Sequence, residues 1–158
     1  MIEQESEGEK YFPTIAGVIH KGIKITETLE LLDRIDLKNK RVMIELASYP
    51  IAEKYRGANE EFCEFFEAIA EKITAEGGTV LAGDSEQLID LAAEELQQLW
   101  IESPSGYLCK YSEIVSKDRD PHFLDFARVN KPDIIILDRE HAKFVAEKLG
   151  VSVVLVSP

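Results

Sequence analysis

Five short apolar runs punctuate this chain, and an amphipathic stretch separates most of them from the next. They cover 13–20, 41–46, 79–83, 133–137 and 151–156. Each is strand-sized, and Ile134, Ile135, Ile136 and Leu137 form a continuous apolar core of the kind found in strands buried on both faces. Strands that alternate with helices are too far apart for tight hairpins. They argue a mostly parallel sheet with helices on both faces, an α/β fold.

The segments between the runs supply those helices. Leu29, Leu32 and Ile35 recur at helical spacing over 26–35. A longer helix is expected from an Asn59 cap, past the bracket of Pro50 and Gly57. Its stripe is Phe62, Phe65, Phe66, Ile69, Ala70 and Ile73, and Gly77-Gly78 stops it. Asp84 with Gln87 reads as a variant capping box opening a helix towards Trp100, which Ser103-Pro104-Ser105-Gly106 breaks. Residues 107–117 show no clean period. Asp120 followed by Pro121 reads as an N-cap and first helical residue, for a helix over 121–129. A last helix covers 139–149, up to Gly150.

The chain has 158 residues, 45% of them hydrophobic, which suits one domain over 13–158 behind an acidic, disordered tail at 1–12. Lys+Arg number 18 against 30 Asp+Glu, a formal net charge of −12. Such a field repels phosphate backbones and anionic bilayers, which argues against nucleic-acid and membrane partners. Cys63 and Cys109 form no Cys-x-x-Cys pair, and the acidic N-terminus has no apolar signal core. The expected setting is cytoplasmic, with both thiols reduced.

In an open α/β sheet, ligands bind at the carboxyl ends of the strands. The residues expected there are His20, Glu45, Asp84 and His141, with Arg119 just ahead of the 121–129 helix. Imidazole and carboxylate groups converging at such a place suit a divalent metal such as zinc, manganese or cobalt, or equally a general base. Glu45 stands inside the apolar run Val42-Met-Ile-Glu-Leu-Ala47, where a carboxylate is costly unless paired. A hydrogen-bonded structural histidine, a capping Asp84 and a solvated Arg119 are the competing readings. His122 is expected at the surface.

Taken in order, these residues resemble the TraB/TIKI group, related to the erythromycin-esterase and ChaN-like proteins. The group's pattern has two Gly-x-x-His motifs, an intervening Glu and an Arg. Gly17-Val-Ile-His20 matches the first motif, Glu45 the acid and Arg119-Asp120 the Arg-Asp segment. Gly78-Thr-Val-Leu-Ala-Gly-Asp84 resembles the middle strand. The second motif departs, because Asp138-Arg-Glu-His141 has Asp138 where glycine is expected. The resemblance implies a hydrolase of ester, amide or peptide bonds, metal-assisted through His20, Glu45 and His141. Glu45, Arg119 and His141 would carry catalysis, and Lys21, Arg119 and Asp84 would bind a small-molecule or peptide substrate.

Two other readings stay open. His20, Lys21, Lys24, Arg56, Arg119, Arg139 and His141 could gather into a positive pocket for a phosphorylated or nucleotide-like ligand, in a module without catalysis. The segment from Gly17 misses the P-loop pattern, and no dinucleotide fingerprint is present. Alternatively, the stripe of Phe62, Phe65 and Phe66 could mediate self-association in a scaffold, although packing on its own sheet explains it better.

Overall fold

The structure, a computed structural model, describes residues 10–20, 24–56 and 60–155. Five parallel strands form one sheet in the order β3-β2-β4-β1-β5. They are β1 (Thr14–Val18), β2 (Arg41–Ile44), β3 (Thr79–Ala82), β4 (Ile134–Asp138) and β5 (Val153–Leu155). The expected α/β fold, with one mostly parallel sheet and helices on both faces, is what the chain adopts. Among the described residues no helix is long and apolar enough to cross a membrane.

The order of the strands explains which helix covers which face. From β1 to β2 to β3 the chain moves one way across the sheet, through α1 (Ile25–Asp33), the single turn α2 (Glu53–Arg56) and α3 (Glu60–Ala75). It then reverses, reaching β4 and β5 through α4 (Glu86–Glu102), α5 (Pro104–Ser116), α6 (Arg119–Asn130) and α7 (Arg139–Leu149). A crossover of constant hand must put helices on opposite faces when the direction of travel reverses. The core obeys this. Ala16, Val18, Val42, Ile44, Ile134 and Ile136 pack on one side against Leu32, Phe65, Phe66, Ile69 and Ile73. Their alternates Ile15, Met43, Ile135 and Leu137 meet Phe123, Ala127, Ala142 and Val145 on the other. The phenylalanine stripe of α3 is thereby spent on the protein's own sheet.

Several boundaries differ from the sequence reading. The α6 helix opens at Arg119, so Asp120 lies inside its first turn and Asp118 is its N-cap residue. Ser85, not Asp84, caps α4, accepting from the Leu88 amide. Residues 107–116 are helical, in α5, with Lys117 its C-cap, and the N-cap Ser103 accepts from Gly106 N. The tail does not reach residue 12 as expected, because half-buried Tyr11 donates its hydroxyl to the Pro132 carbonyl at 2.5 Å. Lys21, Gly57, Asn59, Val156 and residues 1–9 lie outside the described residues.

Gly17 shows why the sheet tolerates no side chain at one point. A Cβ there would sit 2.8 Å from Leu155 Cδ2 and 3.2 Å from Arg139 Cα, at the start of α7. Leu155 can turn away, whereas the Arg139 backbone cannot. Gly17→Val is therefore expected to destabilise the chain by about 1–3 kcal/mol, the usual range for overpacking. The urea midpoint measures it, with Gly17→Ala falling between the variant and the parent.

Candidate functional site

The direction of travel changes between β2 and β4: the connection leaving β2 goes one way and that leaving β4 the other. Ligand crevices in open sheets form at such a switch point. Here the crevice is floored by ionisable side chains. Glu45 directly follows β2 and is 2% exposed; its Oε1 accepts from Asp138 N, at the end of β4, at 2.7 Å. Ladder-like bonds from Gly83 N to Ile44 O and Asp84 N to Leu46 O carry Asp84 alongside.

Arg119 joins these strand ends from α6. Its Nε and Nη2 donate to Asp84 Oδ1 and Oδ2 at 3.2 and 2.5 Å, a two-pronged pair. The same Nη2 donates to Glu45 Oε2 at 3.1 Å. Burial of Glu45 pushes its pKa up, and the positive fields of His141 and Arg119 counter this only in part. The guanidinium is desolvated too, yet Asp84 and Glu45 hold it charged. Buried Phe123 lies beneath, its ring centre 5.5 Å from the guanidinium carbon and 5.1 Å from the imidazole centre of His141.

His141 stands in the first turn of α7, 5% exposed. Its Nδ1 meets Asp120 Oδ1 at 2.5 Å, and its Nε2 points to Glu45 Oε2 at 3.9 Å. Burial disfavours the imidazolium, but the Asp120 hydrogen bond and the Glu45 charge outweigh it and hold the His141 pKa above the ordinary value. A carboxylate on Nδ1 orients the ring and leaves Nε2 to face the reacting groups.

Three of the expected site residues, Glu45, Arg119 and His141, thus converge. His20 comes close but turns elsewhere. The register pairs Val18 with Asp138, so the imidazole two residues past β1 places Nε2 3.3 Å from Asp138 Oδ2 and its ring edge on Phe62. Asp84 does not line the crevice; it sits behind Arg119 as that residue's partner. Asp120 was read as a cap and belongs instead to the site. Asp138, the departure in the second motif, has three tasks: its amide binds Glu45, its carboxylate pairs with His20, and it caps α7 through Glu140 N.

The donor set expected for a metal does not fit one. His20 is engaged by Asp138, and the Arg119 guanidinium already lies against Glu45 Oε2. A second cation at that oxygen would face like charge. Among the described residues, no three His, Cys, Asp or Glu side chains form a group able to hold a metal ion. Of the positive pocket, His20, Arg119 and His141 line one cavity among the described residues. Lys24 pairs with Glu27, Arg56 makes a two-pronged pair with Glu67, and Arg119 is committed to two carboxylates.

Above the floor opens a cavity of about 960 Å³. One wall comes from Leu46, Ile51 and Phe62; the other is the helical hairpin of α4 and α5. Cys63 also borders it, and burial pushes its thiol pKa up. His122, expected at the surface, is half-buried on α6, with Nε2 enclosed and lacking a hydrogen-bond partner among the described residues.

No family model matches the sequence, and searches of curated proteins and of solved structures return no match. The resemblance to the TraB/TIKI group therefore rests on the motif residues alone.

Removing Arg119 leaves two buried carboxylates without their cation. Arg119→Met is expected to cost about 3–5 kcal/mol at neutral pH, as broken buried ion pairs do. A carboxyl whose folded-state pKa lies above its unfolded one favours folding at low pH and loses that contribution as pH rises. The deficit should accordingly shrink as pH falls towards the carboxylate range, in unfolding curves of both proteins recorded side by side.

Proposed function

We propose that this chain is a hydrolase of ester or amide bonds that works by acid–base chemistry of Glu45 and His141. One observation carries the reading: Glu45 Oε2 and His141 Nε2 are 3.9 Å apart at the floor of a roomy cavity, their pKa values both raised, with an arginine beside them. A raised carboxyl pKa makes a stronger base near neutrality. A raised imidazole pKa keeps a proton available to donate. Pairs tuned in this way are what general acid–base catalysis needs.

The steps balance without any further reagent. A water touching both groups gives one proton to Glu45 Oε2 while its oxygen bonds to the substrate's carbonyl carbon. Arg119 lines the cavity, and its Nη1, which makes no hydrogen bond with the described residues, would be the donor to the developing oxyanion. The tetrahedral intermediate collapses by breaking the bond to the leaving oxygen or nitrogen, which takes the proton from His141 Nε2. Return of the proton from Glu45 to His141, across the 3.9 Å between them, restores the starting state. Asp120 acts through His141 as a positioning residue. The raised thiol pKa argues against Cys63 as a nucleophile.

A panel of alkyl and aryl esters and amides tests the reading. Glu45→Gln and His141→Asn should each lower kcat roughly a hundred- to ten-thousand-fold. The alkaline limb of the rate profile should lie above the ordinary imidazole value of about 6.5, because His141 must stay protonated. Asp120→Asn should move that limb to lower pH by removing the hydrogen bond that supports the charge. Wild-type rates in both Glu45→Gln and His141→Asn would overturn the proposal.

A further inference from the structure

The hairpin of α4 and α5 is folded without a core of its own. It spans residues 86–116, yet Ile114, 7% exposed, is its one buried hydrophobic residue among those described. Its cavity side is nevertheless mostly apolar on α4, where Gln97 is the one polar lining residue, while Ser112 and Ser116 add hydroxyls from α5. Ile89, Ala92, Ala93, Leu96 and Trp100 follow one another at spacings of three, one, three and four residues along α4, all on the cavity wall. That stripe runs roughly 16 Å at the rise of an α-helix. Trp100 continues it by edge contact with Tyr107, at 5.2 Å between ring centres, and Tyr107 meets Tyr111 at 5.6 Å. Trp100 is 54% exposed and Tyr111 47%, which is unusual for aromatic rings lining a concave wall. An amphipathic helix buries such a stripe against something, and here most of what it faces is open cavity.

The charge of the floor narrows what could lie there. Glu45, Asp138 and Glu140 line the cavity alongside Arg119, His20 and His141. Arg119 is paired with two carboxylates, His20 with Asp138, and His141 with Asp120 and Glu45. A ligand anion would therefore meet an Arg119 cation already paired with two carboxylates, and further carboxylates that repel it. A neutral carbonyl group suffers neither penalty.

We infer that the cavity takes an elongated, uncharged amphiphile, a long-chain acyl ester or amide. Its apolar chain lies along the α4 stripe and the Trp100–Tyr107–Tyr111 rings, and its carbonyl reaches Glu45 and His141. This inference rests on the proposed hydrolase reading for the carbonyl end, and on the apolar wall for the chain. Chain burial between the hairpin and the Leu46, Ile51 and Phe62 wall would complete the core that the hairpin lacks. Hydrolysis of such a ligand turns its neutral carbonyl into a carboxylate, which the acidic floor then disfavours.

Trp100 is the only tryptophan in the chain, so its fluorescence reports on this wall directly. The full-length protein, purified and stripped of hydrophobic contaminants, is to be titrated below their aggregation thresholds with three probes: monolauroyl glycerol, laurate and glycerol. Monolauroyl glycerol should give a saturable blue shift. Laurate should bind about tenfold or more weakly, a difference of at least about 1.4 kcal/mol, and glycerol should give no shift. Leu96→Asp, which puts a charge on the stripe, should lose the response, and Ala92→Phe, which narrows the cavity at the stripe without one, should weaken it, with circular dichroism to check that each is folded.

Binding is measured again in Glu45→Gln, which separates this inference from the hydrolase reading. Saturable binding to that variant, with no hydrolysis of any ester by the parent, would leave the amphiphile site standing and remove the catalytic proposal. Hydrolysis of short esters with neither chain-length preference nor a Trp100 response would do the reverse. Equal affinity for laurate would overturn the inference, as would a Trp100 shift that tracks protein concentration alone, the mark of a second copy covering the wall.

Discussion

A single guanidinium holds the functional end of this molecule together. Glu45 ends one strand, Asp84 follows another, and both are buried carboxylates that repel each other and have lost their water. Without a cation between them, the buried charge at these strand ends would go uncompensated. Arg119 comes from a helix packed on the opposite face from α1 and α3, and it closes the gap with three hydrogen bonds. That helix is in turn seated by Phe123 and Ala127 against Ile135 and Leu137 of the central strand. The charge network and the apolar core are therefore coupled, since displacing α6 would expose one and unpair the other.

The same coupling fixes the two groups to which the proposed hydrolysis assigns the roles of base and acid. Glu45 is confined by burial, by the Asp138 amide and by Arg119, all of which fix the direction of Oε2. His141 is confined by Asp120 on one ring nitrogen and rests on Phe123. Both groups are held by partners that the proposed reaction would not consume, which is the condition for preorganised chemistry. Asp120 and Arg119 are neighbours in α6, so one helical turn positions the cation of the carboxylate cluster and the partner of the histidine.

Much of this was legible from sequence because periodicity reports burial. The run from Ile134 to Leu137 announced a central strand, and the α3 stripe announced a helix on the sheet. Glu45 stood out as a carboxylate among apolar neighbours, strand ends pointed to His20, Asp84 and His141, and Arg119 was picked out just ahead of a helix. Partnerships were another matter. Asp120 lies 21 residues from His141, and an acid before a proline reads locally as a cap. Asp84 likewise reads as a cap until Ser85 is seen to take that role. The α4 stripe was hidden by the acidic residues of its outer face, and α5 by the mixture of aromatic and polar residues between 107 and 117. Local pattern identifies what a residue tends to do; it does not identify which distant side chain it meets.

The near-absence of buried residues in the α4–α5 hairpin has a consequence for how such a protein can change over time. Substitutions along that hairpin remove little of what keeps the sheet folded, since the sheet's own core lies under α1, α3, α6 and α7. The ionic floor, by contrast, is bound into that core through Arg119 and His141. On the proposed reading, recognition and chemistry thus sit on parts of the chain with very different tolerance to mutation. A lineage could retailor the wall to new molecules, lengthening or reshaping it residue by residue, while inheriting the reacting groups unchanged.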